Sequence, residues 1–124
     1  MLLVCKSLNN GSSLPELEFE LRDSRDKITY CRATATYLDK DTVSLCFKTP
    51  TKYQQRGYAT KAARMMVSWA LHSDVRKLII ANPDSLIAID KIAVRATFIR
   101  GDGYEWIKIT AGLPLPEDVD VIVT

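Results

Sequence analysis

The chain has 124 residues, enough to bury a real core as one domain without disulfide or metal staples. Its hydrophobic fraction of 47% and charged fraction of 26% are ordinary for a globular domain. A net charge of +2, with no dense Lys/Arg run, excludes a nucleic-acid footprint.

The cysteines Cys5, Cys31 and Cys46 each sit in an apolar stretch and none has C-x-x-C spacing. They read as small buried hydrophobes in a reducing compartment, not as metal ligands. The opening MLLVCK is too short an apolar run for a signal peptide, and no window approaches a membrane span. The expected address is cytoplasmic, with no membrane partner.

Leu2 to Lys6 reads as a first strand, and the Gly/Ser/Asn-rich run Ser7 to Pro15 as a loop with its tight turn at Asn10-Gly11. Leu17, Phe19 and Leu21 alternate with Glu16, Glu18, Glu20 and Arg22, the period of a half-buried strand. After a polar connection (Asp23 to Lys27), Ile28 to Leu38 is a long strand rich in β-branched and aromatic residues. Asp39-Lys40-Asp41 turns into the strand Thr42 to Lys48, which gives an antiparallel meander ahead of any helix.

The polar loop Thr49 to Arg56 leads to a helix opening at Gly57-Tyr58. Ala59, Ala62, Ala63, Met66, Val67 and Ala70 recur there at helical period, and the alanines let the helix lie close on a sheet. Lys52 and Arg56 precede a helix N-terminus, whose free N–H groups and partial positive charge suit a phosphate.

Lys77 to Ala81 is a short apolar strand, parallel to Thr42–Lys48 because a crossover helix separates them. Asn82-Pro83-Asp84-Ser85 reads as a helix start with Asn82 as N-cap and Pro83 in the first position. That helix is expected to reach about Ala96, with Leu86, Ile89, Ala93 and Ala96 inward. Thr97 to Ile99 and Tyr104 to Thr110 form a hairpin around Gly101-Asp102-Gly103. The tail (111–124) reads as loop plus an edge strand over Val119 to Val123. The expected division is therefore one domain, with N-terminal strands (1–48), a core (49–96), and a C-terminal hairpin and tail (97–124).

Gln54-Gln55-Arg56-Gly57-Tyr58-Ala59 resembles Gln/Arg-x-x-Gly-x-Gly/Ala, the acyl-CoA pyrophosphate signature of the GNAT superfamily of N-acyltransferases. The wording RGYATKA is most similar to the branch that acetylates protein N-termini, ribosomal proteins included. Downstream, Asn82-x-x-Ser85 followed by Asp90-Lys91 resembles the family's second pattern, Asn-x-x-Ala/Ser then Tyr/Leu-Glu-Lys. The two motifs lie between Thr42 and Ala96, somewhat under half of the chain.

The resemblance implies an α+β fold: a mixed, mostly antiparallel sheet with splayed central strands and two main helices. It implies acetyl-CoA as co-substrate and no metal. Pantetheine would lie in the V between the splayed strands, near Phe47 and Thr49. The pyrophosphate would lie on Gln54, Gln55, Arg56, Gly57, Tyr58, Ala59 and Thr60. Asn82 would bond to the pantetheine arm or to nearby backbone, and Ser85 is the candidate acid. The acceptor would be a primary amine: a protein N-terminus, a lysine or a small amine.

The departures are equally specific. Ile89 stands where the family often has a tyrosine acid, and Ala93-Val94 stands where Gly-Phe closes the motif. Thr42–Lys48 has no glutamate to serve as base, and Ser7–Pro15 leaves no room for the two acceptor-side helices. One alternative is a catalytically degenerate domain that binds CoA or a partner protein. Another is a homodimer in which exposed strands Leu17–Leu21 and Tyr104–Thr110 pair across subunits.

Overall fold

The computed structural model describes residues 1–8, 14–23, 25 and 28–113, and the backbone of 121–123. The four predicted N-terminal strands form a meander: β1 (Leu2–Leu8), β2 (Glu16–Arg22), β3 (Thr29–Tyr37) and β4 (Thr42–Lys48). A single 3₁₀ turn (Thr51–Tyr53) leads to α1 (Tyr58–His72), followed by β5 (Lys77–Ala81), α2 (Ile87–Arg95), β6 (Ile99–Arg100), β7 (Glu105–Ile109) and β8 (Val121–Val123). β1 continues to Leu8, two residues into the predicted loop. The predicted Asn10-Gly11 turn and the prolines of the tail lie outside the described residues.

Among the described residues the strands make one mixed sheet in the order β6-β7-β5-β4-β3-β2-β1-β8. β4 and β5 are parallel, as a crossover through α1 requires, and β8 lies parallel to β1 at one edge. β2 and β7 are interior strands, each paired on both sides. This corrects the expectation that they are exposed edges available to a second subunit; the edges belong to β6 and β8.

Strand alternation sorts the sheet into two faces. Phe19, Leu21, Cys31, Ala33, Ala35, Val43 and Leu45 point to one face and are buried there. α1 covers this face with Ala62, Ala63, Met66 and Ala70, and α2 adds Ala93 with its C-cap Ala96. The first helix also buries Thr60 and Trp69, which flank the predicted stripe. Trp69 meets Phe19 edge-on at 4.9 Å and Tyr37 at 6.5 Å, filling the gap that the small alanines leave over β1 to β3.

The opposite face carries no helix among the described residues. It presents Glu18, Glu20, Arg22, Arg32, Thr34 and Lys48 instead. Cys46 lies on this face and is exposed, which corrects its reading as a buried hydrophobe. Its neighbours Leu45 and Phe47 take the core side of β4, so the pleat turns Cys46 outward.

Candidate functional site

β4 and β5 pair only from Thr42↔Lys77 to Leu45↔Ile80. Beyond that point β4 runs on for three residues, held by β3 alone through Ala33↔Phe47 and Arg32↔Lys48. On the other side β5 ends at Ala81, held by Glu105 of β7. The sheet thus splits into a V whose β4 arm, Cys46 to Lys48, has no ladder partner on its β5 side.

A cavity of about 640 Å³ opens at this V. Phe47, Thr49, Tyr53, Gln54 and Gln55 line the β4 side, and Gly57, Tyr58, Ala59 and Thr60 supply the start of α1. Ile87, Ala88, Ile89, Lys91, Ile92 and Arg95 of α2 form the opposite wall. The structure therefore brings together eight of the predicted binding residues: Phe47, Thr49, Gln54, Gln55, Gly57, Tyr58, Ala59 and Thr60.

The turn into α1 leaves its backbone amides open. Gly57 is the N-cap at φ 83°, in the left-handed region that glycine adopts without strain. No side chain caps the helix, and Lys61 N–H is the first to reach Gly57 O, at 3.0 Å. The amides of the first turn are therefore left for a ligand or solvent, at the positive end of the helix dipole. Gln55 also has positive φ (61°), and its neighbour Gln54 donates through Nε2 to Thr49 O at 3.0 Å, closing the loop on itself.

Three tyrosines brace that loop. Tyr30 of β3 stacks on Tyr58 at 4.4 Å, and Tyr53 meets Tyr30 edge-on at 5.1 Å. Thr49 donates its hydroxyl to Cys31 Sγ at 3.4 Å, which fixes the end of β4. Burial pushes the Cys31 thiol up, against the opposing hydrogen bond from Thr49.

The start of α2 is built differently, and here the sequence expectation is corrected. The helix begins at Ile87, not at Pro83, and its N-cap is Leu86. Asn82 to Ser85 form a turn closed by Ser85 N–H to Asn82 O at 3.1 Å, with Ser85 at φ 53°. A residue in the left-handed region cannot belong to a right-handed helix, so the turn delays the helix.

The Asn82 side chain then reaches four and eight residues ahead: Oδ1 accepts from Leu86 N–H, and Nδ2 donates to Leu86 O and Asp90 Oδ1, each at 2.9 Å. Trp106 of β7 donates Nε1–H to the same Asp90 oxygen at 2.9 Å, and Arg100 lies over the Trp106 ring at 5.2 Å. The hydrogen bonds from Trp106 and Asn82, aided by the Arg100 charge, hold the Asp90 carboxyl below its ordinary value.

Asn82, Ser85 and Arg56 are not part of the cavity lining. Asn82 is buried (4% exposed) with its amide committed within the chain, while Ser85 and Arg56 are exposed. Leu86, expected inward, is 54% exposed, because the turn carries it past the core.

Conversely, Tyr53, Ile87, Ala88, Lys91, Ile92 and Arg95 reach the cavity without having been named as site residues. Ala88, Lys91, Ile92 and Arg95 fall at i, i+3, i+4 and i+7, a one-face signal present in the sequence. Arg64 of α1 donates through Nη2 to Arg95 O at 2.9 Å, so the two helices are tied beside the cavity.

The cavity is thus a cleft with uncapped helix amides, two cations (Lys91 and Arg95) and an apolar floor. Its size lies in the usual range for a small-molecule site. Such a donor set fits a polyanion joined to a less polar arm. None of its lining residues is a carboxylate or an imidazole.

No family model matches the sequence, and no curated protein does either. Solved structures do match. Over 78% of this chain and 63% of the other, the ribosomal-protein-S5-alanine acetyltransferase from Vibrio fischeri superposes with a TM-score of 0.65 at 12% identity. An acetyltransferase (GNAT family) from Bacillus anthracis gives 0.67 at 14% identity, over 75% and 66% of the two chains. A mutant spermidine N-acetyltransferase from Vibrio cholerae gives 0.67 at 9% identity, over 77% and 65%. The chain therefore covers slightly less than two thirds of the length of each of these proteins. At these identities the likeness is one of fold, and the fold of this chain is that of the GNAT acetyltransferases.

Proposed function

We propose that the chain is an acyl-CoA-dependent N-acyltransferase that moves an acetyl group from acetyl-CoA to a primary amine within a ternary complex. The observation that carries this reading is the parting of β4 from β5 beyond Leu45 and Ile80, directly over a cavity whose wall is the uncapped N-terminus of α1. In the transfer, the amine nitrogen attacks the thioester carbon, a C–N bond replaces the C–S bond, CoA leaves as thiolate, and the proton shed by nitrogen passes to water.

The chain's own residues supply binding and orientation. The first-turn amides of α1, with Lys91 and Arg95, hold the pyrophosphate. The unpaired β4 arm from Cys46 to Lys48 lies alongside pantetheine, and a backbone N–H near Phe47 to Thr49 faces the developing oxyanion. Ile89 occupies the wall where a tyrosine acid would stand, and Ser85, the candidate acid from sequence, is outside the lining. Holding the two reactants together then provides most of the acceleration.

A second reading, a CoA-binding domain without catalysis, is favoured by the lack of a carboxylate or imidazole among the lining residues.

Calorimetric titration with acetyl-CoA and with CoA tests the site, with two substitutions at one position as controls. A Cβ at Gly57 meets nothing within 4 Å, so Gly57→Ala adds only backbone strain, about 1 kcal/mol, and keeps binding. Gly57→Glu places a carboxylate where the pyrophosphate belongs and should weaken binding about 100-fold or more. Equal affinity for Gly57→Glu and Gly57→Ala would refute the pyrophosphate assignment. Transfer itself is read separately, from thiol release in the presence of amines.

A further inference from the structure

The face of the sheet that no described helix covers has an uneven charge. Register places Val4, Glu20, Arg32 and Lys48 in one row across β1 to β4, and Arg22 opposite Thr29 in the next row. Among the described residues Glu20 is the only carboxylate in these two rows, and it is 4% exposed. Arg22 engages it through Nε at 2.7 Å and also through Nη2, and Lys6 Nζ stands at 3.5 Å. Arg32 Nε is farther off, at 3.7 Å, and its side chain is 60% exposed.

Lys48, directly across from Arg32, is exposed and forms no ion pair among the described residues. Like charges directly opposite on neighbouring strands repel. Glu20 is shared among Arg22, Lys6 and Arg32, so one carboxylate offsets only part of that repulsion. Lys48 lies on the β4 arm of the V, as the last residue of β4 beyond the end of β5 pairing, and Arg32 lies one strand away on β3. The remaining carboxylates of this face on β2, Glu18 and Glu16, stand one and two rows farther from the V.

We propose that this face binds an acidic peptide segment whose N-terminal amine enters the V and whose following carboxylates meet Arg32 and Lys48. The part concerning the amine rests on the acyltransfer reading; the peptide site does not. Lys48 is on the V's own β4 arm and Arg32 is one strand spacing farther, roughly 5 Å, a distance that an extended peptide covers in about two residues. Carboxylates at the second to fourth positions of the peptide therefore fall over the two cations.

The test is fluorescence anisotropy with two peptides labelled at the C-terminus, one with three aspartates and one with three lysines after an alanine N-terminus. Both are titrated with the full chain, with and without CoA. The aspartate peptide should bind about tenfold more tightly at low salt, with the advantage shrinking as salt rises. Arg32→Glu with Lys48→Glu should invert that order.

Should the charge-reversed protein not fold, Arg32→Gln with Lys48→Gln should remove the preference. Equal binding of the two peptides would overturn the proposal, as would an order unchanged by the substitutions. Tighter binding of polyuridine or of anionic vesicles than of the aspartate peptide would overturn it as well. A chain that binds the aspartate peptide but not acetyl-CoA would sink the acyltransfer reading alone.

Discussion

The two helices that wall the cavity begin in opposite ways. At α1 the chain enters through a left-handed glycine, no side chain caps the helix, and its first amides face the cavity. At α2 the Asn82 side chain takes the Leu86 amide and carbonyl and ties both to Asp90 and, through it, to Trp106. One entrance is left open and can serve an anionic ligand. The other is closed and serves the fold, by fixing the wall that carries Ile89, Lys91 and Arg95. A helix N-terminus is therefore a binding element only where the chain does not satisfy it first.

The sharpest way to break this contrast is Asn82→Ala. It removes three part-buried hydrogen bonds and leaves the Leu86 amide without its partner, a loss of about 3 kcal/mol in urea unfolding. A loss below about 0.5 kcal/mol would show that the side chain does not hold the entrance. A smaller effect belongs to the wall it positions. Lys91→Ala with Arg95→Ala should weaken acetyl-CoA binding about tenfold while leaving stability nearly unchanged, because the cations face the cavity and not the core. Unchanged affinity would leave α1 as the whole anion site.

The same contrast explains how much was legible in the sequence. The turn before α1 could be read because one residue, Gly57, carries the left-handed conformation that the turn requires. The alanine stripe behind it has a period with no rival interpretation. The turn before α2 misled because Asn-Pro-Asp-Ser satisfies every local rule for a helix start. The outcome was decided by Asp90 and Trp106, eight and 24 residues farther on, which recruit the Asn82 side chain.

Trp69 (i+3 from Met66, i+7 from Ala62) and Thr60 (three before Ala63) share the helical period of the stripe and widen it, Trp69 against Phe19. Glu20 is the reverse case: alternation assigns it to solvent, yet cations from three strands close around it. The β4–β5 split was expected from the family resemblance, whereas the basic face of α2 was visible as a spacing and passed over.

The finest test of the closed entrance is its response to acid. Asp90 accepts from Trp106 and Asn82, which favours the carboxylate, and Arg100 Nη1 lies 3.9 Å from the same oxygen. Its folded-state value lies below the ordinary one. The associated stability is therefore present above the unfolded-state value and is lost as pH falls through the folded one.

Protonation removes the charge that makes these hydrogen bonds strong, so the Trp106 indole should loosen at acid pH before the core unfolds. Trp69 is packed inside the core, and its emission is the internal reference in a Trp106→Phe control. In the native chain an acid-side change in emission should precede loss of far-ultraviolet dichroism. In Asp90→Asn that early change should vanish. An early change that persists in Asp90→Asn would assign it to another carboxylate and remove Asp90 from the latch.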